Sequence, residues 1–74
     1  MSDARESAKV IVNGRPRQVE ARTLEELLER LGYAVERRGI AVALNGRVVP
    51  RGEWNKERPR EGDAIDVVGA VQGG

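Results

Sequence analysis

Near both ends of the chain apolar residues alternate with polar ones, and between these stretches four leucines fall at helical spacing. Val10 and Val12 share one parity with Ile11 on the other, and Val19 and Ala21 form a second short run. Alternation of this kind predicts half-buried strands. Asn13-Gly14, between the runs, supplies residues that tolerate positive φ, as a tight hairpin turn requires. Pro16 has no N–H to give a sheet ladder, so it belongs to the turn or to the start of an edge strand.

Next comes TLEELLERLG. Leu24, Leu27, Leu28 and Leu31 stand at i, i+3, i+4 and i+7, one apolar stripe on a helix. Thr23 is placed to cap its N-terminus, Glu26 to complete a capping box, and Gly32 to supply the left-handed stop. Glu25, Glu26 and Glu29 read as the wet face. YAVERRG then predicts a loop, with Tyr33 closing the core over the helix end.

Ile40, Val42 and Leu44 alternate with alanines up to a second Asn-Gly turn at residues 45 and 46. Val48-Val49 are at most a stub of strand before Pro50. RGEWNKERPREGD is polar and turn-rich, with Trp54 its one large apolar anchor. The Gly62-Asp63 turn launches a last strand, AIDVV, with Ile65 and Val67 inward and Asp66 outward.

One amphipathic helix has one stripe to bury, and one mixed sheet of about four to five strands has one face to offer it. The expected fold is therefore α+β and of the β-grasp type, the architecture of ubiquitin. Its expected core is Val10, Val12, Val19, Leu24, Leu27, Leu28, Leu31, Val42, Leu44, Trp54, Ile65 and Val67. Residues 1–8 are expected to form a disordered polar leader, 9–68 the domain, and 69–74 a flexible tail.

Composition narrows the chemistry. The sequence has no cysteine and no histidine, so thiol nucleophiles, imidazole bases and the usual metal ligands are missing. No metal site and no catalytic residue is expected, and a free-standing enzyme is disfavoured. Thirteen basic side chains face twelve acidic ones, a formal net charge of +1, which calls for no polyanionic partner. Neither a phosphate-binding loop nor a G-x-G-x-x-G stands in the chain, so it is expected to bind no nucleotide or other cofactor by itself. Aromatic residues do not interleave a basic patch as in single-strand binders, and no nucleic-acid partner is expected. No apolar run approaches the roughly 18 residues of a membrane span. MSDARESA lacks the apolar stretch of a secretion signal. A cytoplasmic location is the expectation.

The tail, GAVQGG, carries neither a charge nor a large side chain. A frayed end is the bland reading. Against it, the core is complete before Gly69, and the tail leaves directly from the last strand. Extended, it could reach about 20 Å at roughly 3.3–3.6 Å per residue. The α-carboxylate of Gly74 is ionised at neutral pH and can be adenylated in a partner's active site with that partner's ATP. Glycine there leaves the activated carbonyl open to attack and lets the backbone enter a narrow tunnel. A persulfide sulfur could then displace AMP and leave a thiocarboxylate.

VALNGRVVPRGEW, followed by REGDAIDVVGAVQGG, resembles the ThiS family of sulfur carriers for thiamin biosynthesis. The likeness runs from Lys9 and includes the VNG hairpin and the TLEELLERLG helix. Its most specific pieces are Val49-Pro50-Arg51 with Trp54 three residues on, the Gly62-Asp63 turn, and Gly73-Gly74. The P-R-x-x-W element tilts the resemblance toward thiamin rather than molybdopterin synthesis. It implies a ThiF-type adenylyltransferase that activates Gly74, a sulfur donor such as a cysteine desulfurase, and thiazole synthase (ThiG) as sulfur acceptor. By the same analogy Gly73, Gln72 and Val71 line the approach to both partners. Gln72 stands where a small residue is expected.

Ile11 and Val68 are expected to leave an apolar patch on the uncovered sheet face, docking the activating enzyme or the synthase, with a homodimer as the alternative. Arg51 and Trp54 are further candidates for that surface, although Trp54 also reads as a lid over the small core. Three other functions stay open at this point: a carrier for another sulfur pathway, a ubiquitin-like modifier of lysines, and an interaction module with an inert tail.

Overall fold

Both Asn-Gly pairs turn the chain as the sequence predicts. In the computed structural model, which describes residues 7–33 and 39–69, Asn13 and Gly14 have φ of 52° and 83°, and Asn45 and Gly46 have 52° and 85°. Positive φ at both central residues matches the right-handed twist of the strands on either side. The first turn joins β1 (Ser7–Val12) to β2 (Arg15–Glu20), and the second joins β3 (Ile40–Leu44) to β4 (Arg47–Val49). A last strand, β5 (Ala64–Gly69), lies between the two hairpins and gives the order β2-β1-β5-β3-β4. β1 and β5 run parallel; all other neighbours are antiparallel. Helix α1 (Leu24–Arg30) buries its leucines against one face of this sheet. The fold is a β-grasp. Pro16 falls where its missing N–H costs least, on the edge strand β2 opposite Ile11.

The helix is only two turns long, and its first N–H groups are satisfied largely from elsewhere in the chain. Thr23 Oγ1 accepts from the Glu26 N–H at 3.1 Å, as expected of an N-cap. The Glu26 carboxylate reaches one residue further back than a capping box requires, accepting from the Arg22 N–H at 2.8 Å. The Leu24 and Glu25 N–H groups donate to the carbonyls of Glu57 and Trp54, at 2.8 and 3.0 Å. A loop thirty residues downstream thus closes the helix start, which no local pattern could reveal. At the other end Gly32, at φ 95°, lets its own N–H and that of Tyr33 bond back to the carbonyls of Glu29 and Leu28.

The expected core is buried with one exchange. Leu31 is half-buried at its margin, and Val49, 4% exposed, joins it. β4 extends to Val49, which pairs with Val42 and so points to the same inner face. Three boundaries also shift. β1 begins at Ser7, inside the stretch expected as leader, because Ala8 pairs with Val19 and packs on the core. β2 stops at Glu20, leaving Ala21 half-buried beyond the strand. β5 runs through Gly69, opposite Ile40, one residue into the expected tail. The remainder of the expected leader, residues 1–6, lies outside the described residues.

Trp54 is the lid that its context suggests. A short 3-10 turn, Arg51–Glu53, follows Pro50 and delivers the indole into the core, where it is 2% exposed. Its Nε1–H donates to the Val49 carbonyl at 2.9 Å, and the Arg51 guanidinium stacks 4.6 Å from the ring centroid. Replacing this side chain with alanine is expected to cost about 3–5 kcal/mol, enough to unfold much of a domain this small. Trp54→Phe keeps a ring and loses only the indole bond, an expected cost of about 1 kcal/mol. Urea unfolding of the two variants checks both figures.

A second prediction concerns pH. The Arg22 N–H bond holds the Glu26 carboxyl below its ordinary range; burial opposes this, while the Arg30 and Arg22 charges reinforce it. Because the folded state favours the ionised form, the stabilisation is complete above the ordinary carboxylate pKa. It disappears as pH falls through the lowered one. Thermal melts of wild type and Glu26→Gln should therefore differ at pH 7 and converge in acid. A gap that persists at pH 2 would show that the Glu26 charge is not its source.

Candidate functional site

The tail named by the sequence, Val71, Gln72, Gly73 and Gly74, lies outside the described residues. What the structure defines is the strand that leads into it. The Gly62-Asp63 turn starts β5, with Gly62 at φ 87° donating to the Lys9 carbonyl at 2.8 Å. Asp63 organises this turn by accepting from the Arg60 N–H at 2.7 Å and from Asn45 Nδ2 at 3.0 Å. On the β1 side, the Ile11 N–H bonds the Asp63 carbonyl and the Asn13 N–H bonds that of Ile65, both at 2.8 Å. On the β3 side, the Asn45 N–H bonds the Ala64 carbonyl at 2.7 Å.

The side chains of the two turn asparagines reach β5 as well. Asn45 Oδ1 accepts from the Ala64 N–H at 2.9 Å, and Asn13 Oδ1 accepts from the Val67 N–H at 2.8 Å. Both residues were chosen from the sequence only for their backbone. The repetition of Asn rather than Gly at the first turn position was the available signal, since glycine would serve the turn and lack the side chain. With Ile65 and Val67 buried beneath it, β5 is held from both flanks and from below.

The outer face of the sheet carries exposed apolar residues, though not in the expected grouping. Ile11 is 39% exposed and Val68 66%. They do not form one patch. Ile11 stands opposite Ala64 and Pro16, four residues along β5 from Val68, or about 13 Å at strand spacing. Val68 instead faces Ala41, and on the same face Ala43 faces Val48, itself 70% exposed. Val68, Ala41, Ala43 and Val48 make a contiguous apolar patch bordered by the exposed Asp66, which is opposite Ala43. Sequence reasoning passed over Val48 because it was read as a stub rather than a paired edge residue. Trp54, expected as a docking candidate, is enclosed in the core and has no face to offer; of that pair Arg51, lying over its ring, is exposed.

Among the described residues there is no cluster of His, Cys, Asp or Glu that could hold a metal ion. No described helix is long and apolar enough to cross a membrane.

The ThiS family model matches residues 10–74, from the core of β1 through Gly73 and Gly74. The chain belongs to the ThiS family. It is 45% identical over 71 residues to the sulfur carrier protein ThiS of Thermus thermophilus, covering 88% of this chain and 98% of that one. A thiazole synthase of Magnetococcus marinus is 43% identical over 67 residues, which span 89% of this chain but 20% of the synthase. The crystal structure of the thiamine biosynthesis protein ThiS from Geobacter metallireducens superposes with a TM-score of 0.73. That match has 30% identity and covers 89% of this chain and 99% of the other. The ThiS fold and the β-grasp built from the sequence are one and the same.

Proposed function

We propose that this chain is a sulfur carrier for thiamin biosynthesis that works through a thiocarboxylate on Gly74. The observation that supports it most is the family match extending through Gly73 and Gly74, on a fold whose clamped last strand leads into them. The chain acts as a carrier and co-substrate, and the catalytic groups and the ATP belong to a ThiF-type, E1-like adenylyltransferase.

The chemistry proceeds in balanced steps. A Gly74 carboxylate oxygen attacks the α-phosphorus of ATP and expels pyrophosphate, giving an acyl-adenylate. The terminal sulfur of a persulfide, supplied by a cysteine desulfurase, attacks the acyl carbon and expels AMP. A thiol then breaks the sulfur–sulfur bond of the resulting acyl disulfide, forming a new disulfide and releasing the thiocarboxylate. Thiazole synthase takes the sulfur from there. Throughout, Gly73 and Gly74 present no side chain to the active sites they enter, and Val71 and Gln72 line the approach.

The patch of Val68, Ala41, Ala43 and Val48 is assigned to thiazole synthase. It adjoins the end of β5, from which five residues lead to Gly74. The Magnetococcus synthase, moreover, carries a region similar to this chain within its own polypeptide. Apolar surface beside the end of β5 suits a partner that must hold the carrier while consuming its C-terminus.

Incubation with a ThiF-type enzyme, ATP and a persulfide donor should raise the intact mass by the difference between sulfur and oxygen. Removal of Gly74 should abolish that gain and leave the thermal melt unchanged, since β5 ends at Gly69. An unmodified wild-type mass would refute the carrier reading, and a large drop in melting temperature would mark the tail as structural. For the patch, Val48→Lys and Val68→Lys should each weaken binding to thiazole synthase at least about ten-fold, with small effects on stability at such exposed positions. Unchanged synthase binding, or a loss seen with the activating enzyme alone, would remove the assignment.

A further inference from the structure

Asn13 has a second task beyond its turn. β1 ends at Val12, opposite Ile65, so its backbone does not extend alongside Val67. The Asn13 side chain takes the place of the missing strand, its Oδ1 accepting the Val67 N–H at 2.8 Å across 54 residues of sequence. Its Nδ2 donates to the Tyr33 hydroxyl at 3.4 Å, which sets the amide with its oxygen toward β5. On the opposite edge β3 continues to pair through Gly69. Asn45 offers a built-in comparison. It has the same φ and the same kind of turn, but its oxygen grips Ala64, at the start of β5. Of the two clamps, only Asn13 acts near the end that leads into Gly74.

We propose that Asn13 is a positioning residue whose side-chain bond to Val67 holds the end of β5 in line, so that Gly74 is presented to the activating enzyme. This rests on the carrier reading above. From Gly69 five residues lead to Gly74, at most about 18 Å of chain, so the place and direction of the end of β5 set the volume within which the reacting carboxylate is found. Holding the root reduces the freedom that must be lost when the tail enters a site, so the effect falls on the apparent affinity for the carrier.

Three variants separate this role from general stability. Asn13→Gly keeps the positive-φ turn and removes the acceptor, Asn13→Asp keeps both the acceptor and a side chain tolerant of that φ, and Asn45→Gly removes the other clamp. All are compared at a temperature where melting curves show them folded. In the isolated protein, exchange of the Val67 amide should quicken about five-fold in Asn13→Gly, the equivalent of one neutral hydrogen bond, and return to the wild-type rate in Asn13→Asp. With a ThiF-type enzyme and ATP, pyrophosphate release should show KM for the carrier raised about five-fold by Asn13→Gly, at unchanged kcat. Asn13→Asp and Asn45→Gly should keep the wild-type KM. A wild-type KM for Asn13→Gly, or an equal rise in Asn45→Gly, overturns the positioning role and leaves the carrier reading standing. Absence of pyrophosphate release with the wild type overturns the carrier reading, and this proposal with it.

Discussion

β5 is the last strand in sequence and the middle strand in space, and nearly everything else in the molecule depends on its being there. The two Asn-Gly hairpins are separate local structures, and among the described residues β5 is the strand that joins them into one sheet. Its parallel partner β1 lies more than fifty residues away in sequence, so the pairing carries a large loop-closure cost that local contacts cannot offset. That cost is met by burying Ile65 and Val67 beneath the helix and by bonds from the backbones and side chains of both turns. Such a sheet is complete only when β5 joins the two hairpins.

The loop between β4 and β5 meets a second constraint. Its role could have been mere connection, but it supplies Trp54 to the core and two carbonyls to the start of α1. A two-turn helix gains little from propensity alone, and its exposed N–H groups would be a liability where they approach the core. Pro50 and the 3-10 turn fix the entry of this loop, and the indole bond to Val49 ties it to the end of β4. The P-R-x-x-W element is thereby a packing unit: proline sets the direction, tryptophan fills the core, and arginine covers the tryptophan's outer face.

Most of the fold was legible because its signals are local and periodic. Strand parity identified Val10, Val12, Ile65 and Val67, the leucine stripe identified the helix, and Asn-Gly identified both turns. What escaped was long-range. No window of sequence shows that Glu57 and Trp54 carbonyls cap α1, that Asn13 reaches Val67, or that Val48 adjoins the patch of Val68 while Ile11 does not. Val49 was discounted because Pro50 follows it, yet a proline just past a strand ends the ladder without exposing the last residue. The site divides in the same way. Gly73 and Gly74 were named from the sequence, by elimination of other reactive groups and by likeness to a family, and lie outside the described residues, whereas the grouping of Val68 with Val48 depends on register and needed the sheet.

The parallel pairing of β1 and β5 has a mechanical consequence. A load applied along β5 from its C-terminal end is parallel to the strand. The bonds to β1, to β3 and to the two asparagines lie across that direction, so they are strained in shear together rather than peeled one after another. A hairpin strand pulled from its open end would unzip at low force. Held at the centre of its sheet, β5 takes such a load on both flanks at once, and the sheet resists it as a unit.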